Sequence, residues 1–440
     1  MPRSTIHGGD GGNAYGGLAR QPVAQGPGRT HRMNAQSLTA GLIVAAQDRG
    51  DAIAVVDGGH RFTWIQHAQR VASLAAGFRT LGLAAGDRVA ILADSSHRYI
   101  EACFATLWAG GVWAPVNSRF APPEMREMLE DSAPRILIAD AAHAELAAEL
   151  AAGLPRPPAL IRMGGAAGGA DYENLLAAHP PAADAGRGGD DLACLFYTGG
   201  TTGRAKGVAL SHGNLLASIG NVSPLIGFDA AMVHLHCGPL FHLGAGGRLF
   251  ATTLHGGRHV VLPRFDAAAV LRAIRAEGVT MAVVVPAMVL ALLEQPDFVP
   301  ESLGSLRTLS YGAAPMPQAL IEALLRRLPQ VGLVQSYGQT ELSPVATMLL
   351  PGDHVAGSPR LRSAGRAVPN VELRIADAED RPLPPSAVGE VQVRGAIVMQ
   401  GYWQRPEETV QALRGGWMHT ATPDTSMRTA SSIWWTGSRT

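Results

Sequence analysis

Two spacings of apolar residues alternate along most of this chain. From about residue 40 onward, segments in which apolar residues recur every three or four positions, as in helices, alternate with short continuous apolar runs, as in buried strands. This alternation predicts an α/β fold in which helices cover parallel sheets. The predicted helices are residues 62–81, 99–108, 213–219 and 267–277, and the predicted strands are residues 86–92, 135–139, 192–197, 259–262, 281–285 and 332–335.

The two ends of the chain have a different pattern. After about residue 363, short strands at residues 371–375 and 389–394 alternate with proline-rich turns, which predicts a small β-rich subdomain. The first 32 residues are rich in glycine and lack the apolar segment of a signal peptide, so we expect them to be disordered. The predicted organisation is a disordered segment 1–32, an α/β body 33–362 formed of two subdomains, a β-rich subdomain 363–420 and an aberrant tail 421–440.

Composition narrows the class of protein. Of the 440 residues 47% are apolar but only 5% are aromatic, which predicts a large core built mainly of Ala, Val and Leu. The formal net charge is zero, so we expect neither nucleic acid nor an anionic membrane as a partner. Cys103, Cys194 and Cys237 are far apart in apolar segments and are predicted to be reduced core residues. The longest apolar run is too short to span a bilayer, so we predict a soluble cytoplasmic protein without a transmembrane segment.

Lys206 is the only lysine in the chain, and it ends a segment rich in glycine and threonine. Glycines let backbone N–H groups approach a ligand, threonine hydroxyls add donors, and an ammonium group is a compact positive charge. Such a segment predicts a site that binds the phosphates of a nucleotide; the alternative is a solvated turn between a strand and a helix. The residues concerned are Thr198, Gly199, Gly200, Thr201, Thr202, Gly203 and Lys206.

The metal ligand that such a nucleotide requires must come from elsewhere in the chain. Gly207 follows Lys206, where a Walker sequence would have the Ser or Thr that holds magnesium. Glu341 closes the segment Tyr337-Gly338-Gln339-Thr340-Glu341 directly after a predicted strand. Because Mg²⁺ prefers oxygen ligands, Glu341 is the candidate metal ligand, although a glutamate at such a place is usually only solvated.

In combination, six segments of this chain resemble the acyl-adenylate-forming enzymes, which include acyl- and aryl-CoA synthetases, the adenylation domains of peptide synthetases and firefly luciferase. The resemblance extends from about residue 36 to 420. It is carried, in this order, by the Gly/Thr segment, Pro239-Leu240-Phe241-His242, Tyr311-Gly312-Ala313-Ala314-Pro315, Tyr337 to Glu341, residues 363–369, and the glycines and acidic residue between 389 and 402.

The resemblance implies a fold, a reaction and a set of site residues. The fold would be the large N-terminal domain of these enzymes, with two helix-covered, mainly parallel sheets and a small β-rich subdomain. A carboxylate would attack the α-phosphate of ATP, and the acyl-adenylate would pass to coenzyme A. By the same resemblance, residues 198–206 would bind the β- and γ-phosphates and Glu341 would bind Mg²⁺. Thr340 would hydrogen-bond the α-phosphate, and Gly312, Ala313 and Ala314 would form a wall of the adenine and acyl sites. Tyr337 would stack on adenine, and Gly338 would be a further nucleotide-binding residue.

His242 and the acid substrate are interpreted in the same way. Taken alone, His242 would be a core histidine bonded to a backbone carbonyl, whereas the resemblance makes it a gate residue near the carboxylate. The segment 234–247 contains no acidic residue to hold an α-amine. Small residues at Gly244, Ala245, Gly246, Ala313 and Ala314 leave room for a bulky tail. We therefore expect a fatty or aryl acid as the substrate.

The tail departs from the family's pattern. The family continues with Thr-Gly-Asp, a hinge and a C-terminal domain with a catalytic lysine, whereas this sequence diverges after Thr420. A change of reading frame there would restore Gly-Asp and the hinge, so we interpret residues 421–440 as a frameshifted translation; the alternative is a natural divergent tail. With the C-terminal domain missing, we expect an impaired ligase. A non-catalytic ATP- or acyl-binding protein is the alternative, and a small-molecule kinase is disfavoured because no kinase-type aspartate motif is visible.

Overall fold

The computed structural model describes residues 36–164, 170–199, 205–384 and 387–421, together with the backbone of Thr425–Thr429 and Ser432–Trp435. The glycine-rich segment 1–32, which the sequence predicts to be disordered, lies outside these residues. No helix within the described ranges is long and apolar enough to cross a membrane.

The strands alternate with helices along the chain, as the apolar pattern predicts. In chain order the strands are β1 (Ile53–Asp57), β2 (His60–Thr63), β3 (Arg88–Leu92), β4 (Val112–Pro115), β5 (Ile136–Asp140), β6 (Ala159–Met163), β7 (Ala170–Asp171), β8 (Leu192–Thr198), β9 (Lys206–Ser211), β10 (Val233–His236), β11 (Arg258–Val261), β12 (Met281–Val284), β13 (Thr308–Gly312), β14 (Gly332–Tyr337), β15 (Thr347–Leu349), β16 (Ser363–Ala367), β17 (Glu372–Ala376), β18 (Val388–Arg394), β19 (Gly401–Tyr402), β20 (Met418–His419), β21 (Thr425–Thr429) and β22 (Ser432–Trp435).

The helices lie between these strands, and several of them begin at a side chain that caps the first turn. They are α1 (Ala40–Asp48), α2 (Trp64–Thr80), α3 (His97–Trp108), α4 (Pro122–Ser132), α5 (Ala144–Ala152), α6 (Tyr172–Ala177), α7 (His212–Ile226), α8 (Leu243–Leu254), α9 (Ala267–Glu277), α10 (Pro286–Leu293), α11 (Gln318–Arg327) and α12 (Pro406–Ala412). Helix α2 begins two residues after the predicted start, because Thr63 and Gln66 form a capping box that fixes its first turn. Helix α9 has its predicted bounds, with Asp266 as N-cap and Gly278 in the left-handed conformation as C-cap.

Two sheets organise the chain. In the first, the strand order β16-β15-β14-β13-β12-β10-β11-β1-β2 is parallel from β14 to β1 and antiparallel at both edges. In the second, the order β19-β9-β8-β4-β3-β5-β6-β7 is parallel from β8 to β7. The predicted α/β class with two helix-covered, mainly parallel sheets is therefore confirmed.

A layer of helices separates the sheets and supplies much of the core. Phe104 of α3 and Phe250 of α8 have ring centroids 5.5 Å apart, and Trp113 of β4 lies 5.9 Å from Phe250. On the other side of this layer, Trp64 of α2 lies 6.2 Å from His259 of β11. These edge-to-face contacts join strands of both sheets through the shared helices. The three cysteines are buried and free, as the sequence predicts.

The segment around Lys206 differs from the prediction. The sequence predicts that a strand, the Gly/Thr segment and then a helix follow each other directly. The structure adds β9, which pairs antiparallel with β8, so Lys206 begins a strand that is not predicted. Helix α7 begins at His212, one residue before the predicted start, and continues to Ile226. Residues 206–211 pair along β8 and are largely buried, so tertiary pairing decides their conformation.

The C-terminal part of the described chain is rich in strands. β17 and β18 form an antiparallel pair that β20 extends, while β16 pairs with β15 of the first sheet. The backbone of β21 and β22 forms a hairpin that pairs with β18 and β16. The boundaries of the α/β body and the β-rich subdomain stay a prediction.

Candidate active site

A cavity of about 410 Å³ opens beyond the carboxyl ends of β12, β13 and β14 in the first sheet. These three strands are parallel and in register, with Val284 opposite Tyr311 and Gly312 opposite Ser336. Ligands of parallel α/β sheets characteristically bind at this edge, where the strands end and loops begin. The strand ends and the loops after them line the cavity with Val283, Val284, Val285, Ser310, Tyr311, Gly312, Ala313, Ser336, Gly338, Gln339 and Thr340.

Two of the predicted glycines are required by close backbone approaches at this edge. A Cβ at Gly312 would lie 2.5 Å from the carbonyl oxygen of Ser336, and one at Gly338 would lie 2.1 Å from that of Pro344. No side chain fits at such distances without moving the backbone. The glycines therefore let neighbouring loops pack tightly where the cavity begins.

Helix α8 supplies the opposite wall, and His242 precedes its first residue. His242 is exposed and lines the cavity next to Gly244 and Ala245. The surrounding protein lowers the pKa of His242, and the positive charge of Arg119 lowers it further, so the imidazole is neutral at pH 7. Among the described residues no backbone carbonyl is hydrogen-bonded to the ring, whereas the alternative interpretation is a core histidine with such a bond.

Lys206 and Thr198 face each other across the hairpin of β8 and β9 in the second sheet. This pairing fixes the two ends of the Gly/Thr segment on neighbouring strands. The Lys206 ammonium lies 5.1 Å from the centroid of the Tyr402 ring, within the range of a cation–π contact. Gly199 is exposed beside Thr198. The remaining predicted residues of the segment, Gly200, Thr201, Thr202 and Gly203, lie outside the described residues.

Glu341 lies in a short 3₁₀ turn and is only 8% exposed. Burial raises the pKa of its carboxyl group, while a backbone hydrogen bond, the Tyr402 hydroxyl and the charge of Lys206 favour the ionised form. The Tyr402 hydroxyl donates to Glu341 Oε1 at 2.9 Å. Burial and the neighbouring Glu341 carboxylate raise the pKa of Tyr402, so this hydroxyl stays a donor. Carboxylate, hydroxyl and ammonium thus form one polar cluster.

The predicted residues are therefore distributed over two adjoining places. His242, Gly312, Ala313, Gly338 and Thr340 line the cavity, whereas Glu341 and Lys206 belong to the polar cluster. Tyr337 and Ala314 do not line the cavity: Tyr337 ends β14 half-buried and opposite Thr347 of β15, and Ala314 is exposed after β13.

Three further residues of this region are not predicted as site residues from the sequence. Tyr402 lies in a segment that carries the resemblance, but only the structure shows its contact with Glu341. Arg119 is held on a loop beside the cavity and has no distinctive pattern around it. Arg248 is the only charged residue of α8, and this isolated charge in an apolar helix is a signal that the sequence does contain.

A second group of potential metal ligands lies away from this site. Within the described ranges, Asp380, Glu390 and His419 form one group whose ligand atoms are within 4.8 Å of one another. Arg414 donates to both oxygens of Asp380 at 2.9 and 3.1 Å, and His419 Nδ1 is 2.8 Å from Glu390. A guanidinium already balances these carboxylates, so the group is explained as an ion-pair network between β18, β20 and the turns beside them.

Comparisons of this chain with a family model and with related proteins point to the same family. A model described as AMP-binding enzyme matches residues 43–403. A feruloyl-CoA synthase of an Amycolatopsis species is 40% identical over 392 residues, which make up 88% of this chain and 76% of that protein. A long-chain-fatty-acid–CoA ligase of Thermus thermophilus is 33% identical over 393 residues, or 86% of this chain and 70% of that protein.

Solved structures show the same likeness. The N-terminal domain of FACL13 from Mycobacterium tuberculosis superimposes with a TM-score of 0.82 and 26% identity, over 92% of this chain and 100% of that domain. Together with the family match and the relatives, this establishes that the chain belongs to the AMP-binding enzyme family, as an ATP-dependent acid–CoA ligase of the acyl-CoA synthetase type.

Proposed function

We propose that the 410 Å³ cavity binds a fatty or aryl carboxylic acid and that the adjoining polar cluster positions MgATP for its adenylation. The observation that carries this proposal is the junction at Thr340 and Glu341, two consecutive residues of which one lines the cavity and the other contacts Tyr402 near Lys206. An acid in the cavity and a nucleotide at the cluster would then meet at this junction.

The walls of the cavity suit an apolar tail. Leu243, Val283, Met288 and Val345 line it, and no acidic side chain is among its described lining residues. A hydrocarbon chain or ring buried there would gain roughly 25 cal/mol for each Å² removed from water. The names of the relatives include both feruloyl and long-chain fatty acids, which supports the same two classes of acid.

The nucleotide would lie across the edges of both sheets. In this arrangement residues 198–206 bind the β- and γ-phosphates, with the Lys206 ammonium as the positive charge. Thr340 donates to the α-phosphate. Gly312, Ala313 and Ala314 form the wall between adenine and the acyl group, and Tyr337 with Gly338 lies against the adenine.

Glu341 fits the requirements of a Mg²⁺ ligand. Mg²⁺ is commonly held by one or two carboxylates together with substrate phosphates, so a single carboxylate beside a phosphate site is sufficient. Burial raises the pKa of Glu341, and a divalent cation would favour the ionised form and offset that cost. The metal would neutralise phosphate charge, while Tyr402 holds the carboxylate in place.

The protein's part in the reaction is positioning and charge neutralisation. A carboxylate oxygen of the acid attacks the α-phosphorus, the new P–O bond forms, and the bond to the β-phosphate breaks to release pyrophosphate. The sulfur of coenzyme A then attacks the acyl carbon, AMP leaves with the bonding electron pair, and the thiol proton passes to solvent. His242, which lines the cavity and is neutral, would orient the acid carboxylate without forming an ion pair with it.

Acid-dependent exchange of pyrophosphate into ATP tests the proposal, because it requires formation of the acyl-adenylate but no thioester. We expect exchange with aryl or fatty acids and a loss of at least about a hundredfold in each of two variants. Lys206→Met removes a positive charge that would neutralise the phosphates, and Glu341→Gln removes the carboxylate that would hold the metal. Glu407→Gln is the matched control, because Glu407 is exposed on α12.

Two results would contradict the proposal. Binding of ATP without exchange for any acid would indicate a non-catalytic nucleotide-binding protein. If exchange is unchanged in Glu341→Gln, then Glu341 is not the metal ligand. That result would not affect the assignment of the chain to its family.

A further inference from the structure

Arg248 is a buried cation without an anionic partner. It is 9% exposed on α8, and burial lowers its pKa to about 10, so it stays protonated at neutral pH. Among the described residues, no carboxylate or carbonyl pairs with its guanidinium, which lies 5.9 Å from the centroid of the Phe228 ring. The nearby His234 adds no second positive charge, because burial lowers its pKa well below the usual value.

Such an arrangement is energetically costly unless another group completes it. A buried charge is normally paired or fully hydrogen-bonded, and leaving one uncompensated costs several kcal/mol. A cation–π contact recovers only about 0.5–2 kcal/mol of this. The five N–H groups of a guanidinium are suited to donate hydrogen bonds to a carboxylate or to a single oxygen acceptor.

The position of Arg248 determines where such an acceptor would come from. Arg248 lines the 410 Å³ cavity and also a narrow adjoining one, which Leu215, Ile219 and Phe228 help to enclose. It lies six residues beyond His242, or about 9 Å along the axis of α8.

We propose that Arg248 selects acids that carry an oxygen acceptor at the far end from the reacting carboxylate, such as a ring hydroxyl or a second carboxylate. This inference rests on the proposed binding of an acid in the cavity, and it narrows the class from fatty or aryl acids to oxygenated aryl acids or similar compounds. A plain hydrocarbon tail would cover the guanidinium with apolar surface and leave its donors unpaired. The cost of leaving these donors unpaired would therefore exceed the gain from apolar contact, and such a tail would bind weakly.

Binding of paired acyl-adenylate analogues tests this assignment without requiring turnover. Non-hydrolysable sulfamoyl adenosines of cinnamate, 4-hydroxycinnamate and 4-carboxycinnamate differ only at the far end of the acyl group. Isothermal titration calorimetry at pH 7.5 should show at least one oxygenated analogue binding roughly ten- to a hundredfold more tightly than the cinnamate analogue, since it pairs with a charged donor.

Arg248→Met should abolish or reverse this preference, because methionine fills a similar volume and binds hydrocarbon. Arg248→Lys should retain part of it, and Arg272→Met on the exposed face of α9 should leave it unchanged. The melting temperature of each variant separates a change in selectivity from a loss of fold. Preference for the hydroxyl over the carboxylate analogue, or the reverse, identifies which acceptor the site takes.

Equal affinity for all three analogues in the unmutated protein would overturn the role of Arg248 but leave adenylation in place. A preference that survives in Arg248→Met would overturn it as well. Failure of every analogue to bind would overturn both this inference and the proposed acid-binding function, so the two failures are distinguishable.

Discussion

Removal of one hydroxyl, in Tyr402→Phe, should change the pH dependence of MgATP binding. Glu341 is 8% exposed, and the Tyr402 hydroxyl is the side-chain donor to its carboxylate, at 2.9 Å. Burial already raises the pKa of Glu341. Without this donor the ionised form of Glu341 is less stable, so the pKa of Glu341 should be higher in the variant than in the unmutated protein.

The size of the effect follows from the kind of hydrogen bond. A hydrogen bond to a charged group contributes about 1.5–3 kcal/mol, and Tyr402 is only half-buried, which favours the lower end. At a pH where Glu341 is largely protonated in the variant, MgATP should bind about tenfold more weakly. The difference should shrink as the pH rises, because Glu341 is then ionised in both proteins.

Titration of MgATP at a series of pH values between 5.5 and 8.5 measures this effect directly. Tyr172→Phe is the matched control, because it removes a hydroxyl that donates at 2.9 Å to the buried Glu101, away from the site. That control should lower stability without changing the pH dependence of binding. Identical pH profiles for the unmutated protein and Tyr402→Phe would refute the assigned role of the hydroxyl.

Three further changes test other parts of the structure. Arg70→Met should lower the free energy of unfolding by about 3–5 kcal/mol in urea titrations, because it leaves the fully buried Glu101 without its guanidinium partner at 2.6 Å; Glu101→Gln added to it should recover most of the loss. Burial lowers the pKa of His67 to about 3, so its contribution to the free energy of unfolding is complete above pH 6.5 and is lost as the pH falls, by up to about 1.4 kcal/mol per pH unit. His67→Leu should remove this dependence of the unfolding free energy on pH between about 6.5 and 4. Gly338→Ala should cost about 1–3 kcal/mol of stability and weaken ATP binding, because its Cβ would lie 2.1 Å from a backbone oxygen, whereas Gly352→Ala, with open space around it, should be neutral in thermal unfolding.

The apolar pattern predicts the elements of this fold well where local and tertiary preferences agree. Helix α9 has an amphipathic pattern, a capping aspartate and a terminal glycine, and its bounds are as predicted. The segment after Lys206 is different: its conformation depends on pairing with β8, which is not encoded in local spacing. Strand order within each sheet depends in the same way on contacts between distant residues.

The site is predictable only in part, and for a similar reason. The family resemblance predicts His242, Gly312 and Thr340 as site residues, and in the structure these three residues line one cavity. The contact between Tyr402 and Glu341 joins residues 61 positions apart, and no spacing in the sequence indicates it. Arg248 has a visible signal, an isolated charge in an apolar helix, but only burial without a partner makes that signal meaningful.

The contact between the two sheets, called the seam below, explains the position of the proposed site. Glu341 belongs to the loop after β14 of the first sheet, whereas Lys206 and Tyr402 belong to β9 and β19 of the second. The seam is fixed by hydrogen bonds that include Met399 N–H to the Glu341 carbonyl at 2.9 Å and Ser343 Oγ to the Ile397 carbonyl at 2.7 Å. Because one sheet lines the proposed acid cavity and the other carries the lysine, a small shift at the seam would move the proposed acid and phosphate sites apart. Rigid packing here is therefore part of the proposed chemistry, since in-line attack requires the reacting atoms to be held about 3–3.5 Å apart.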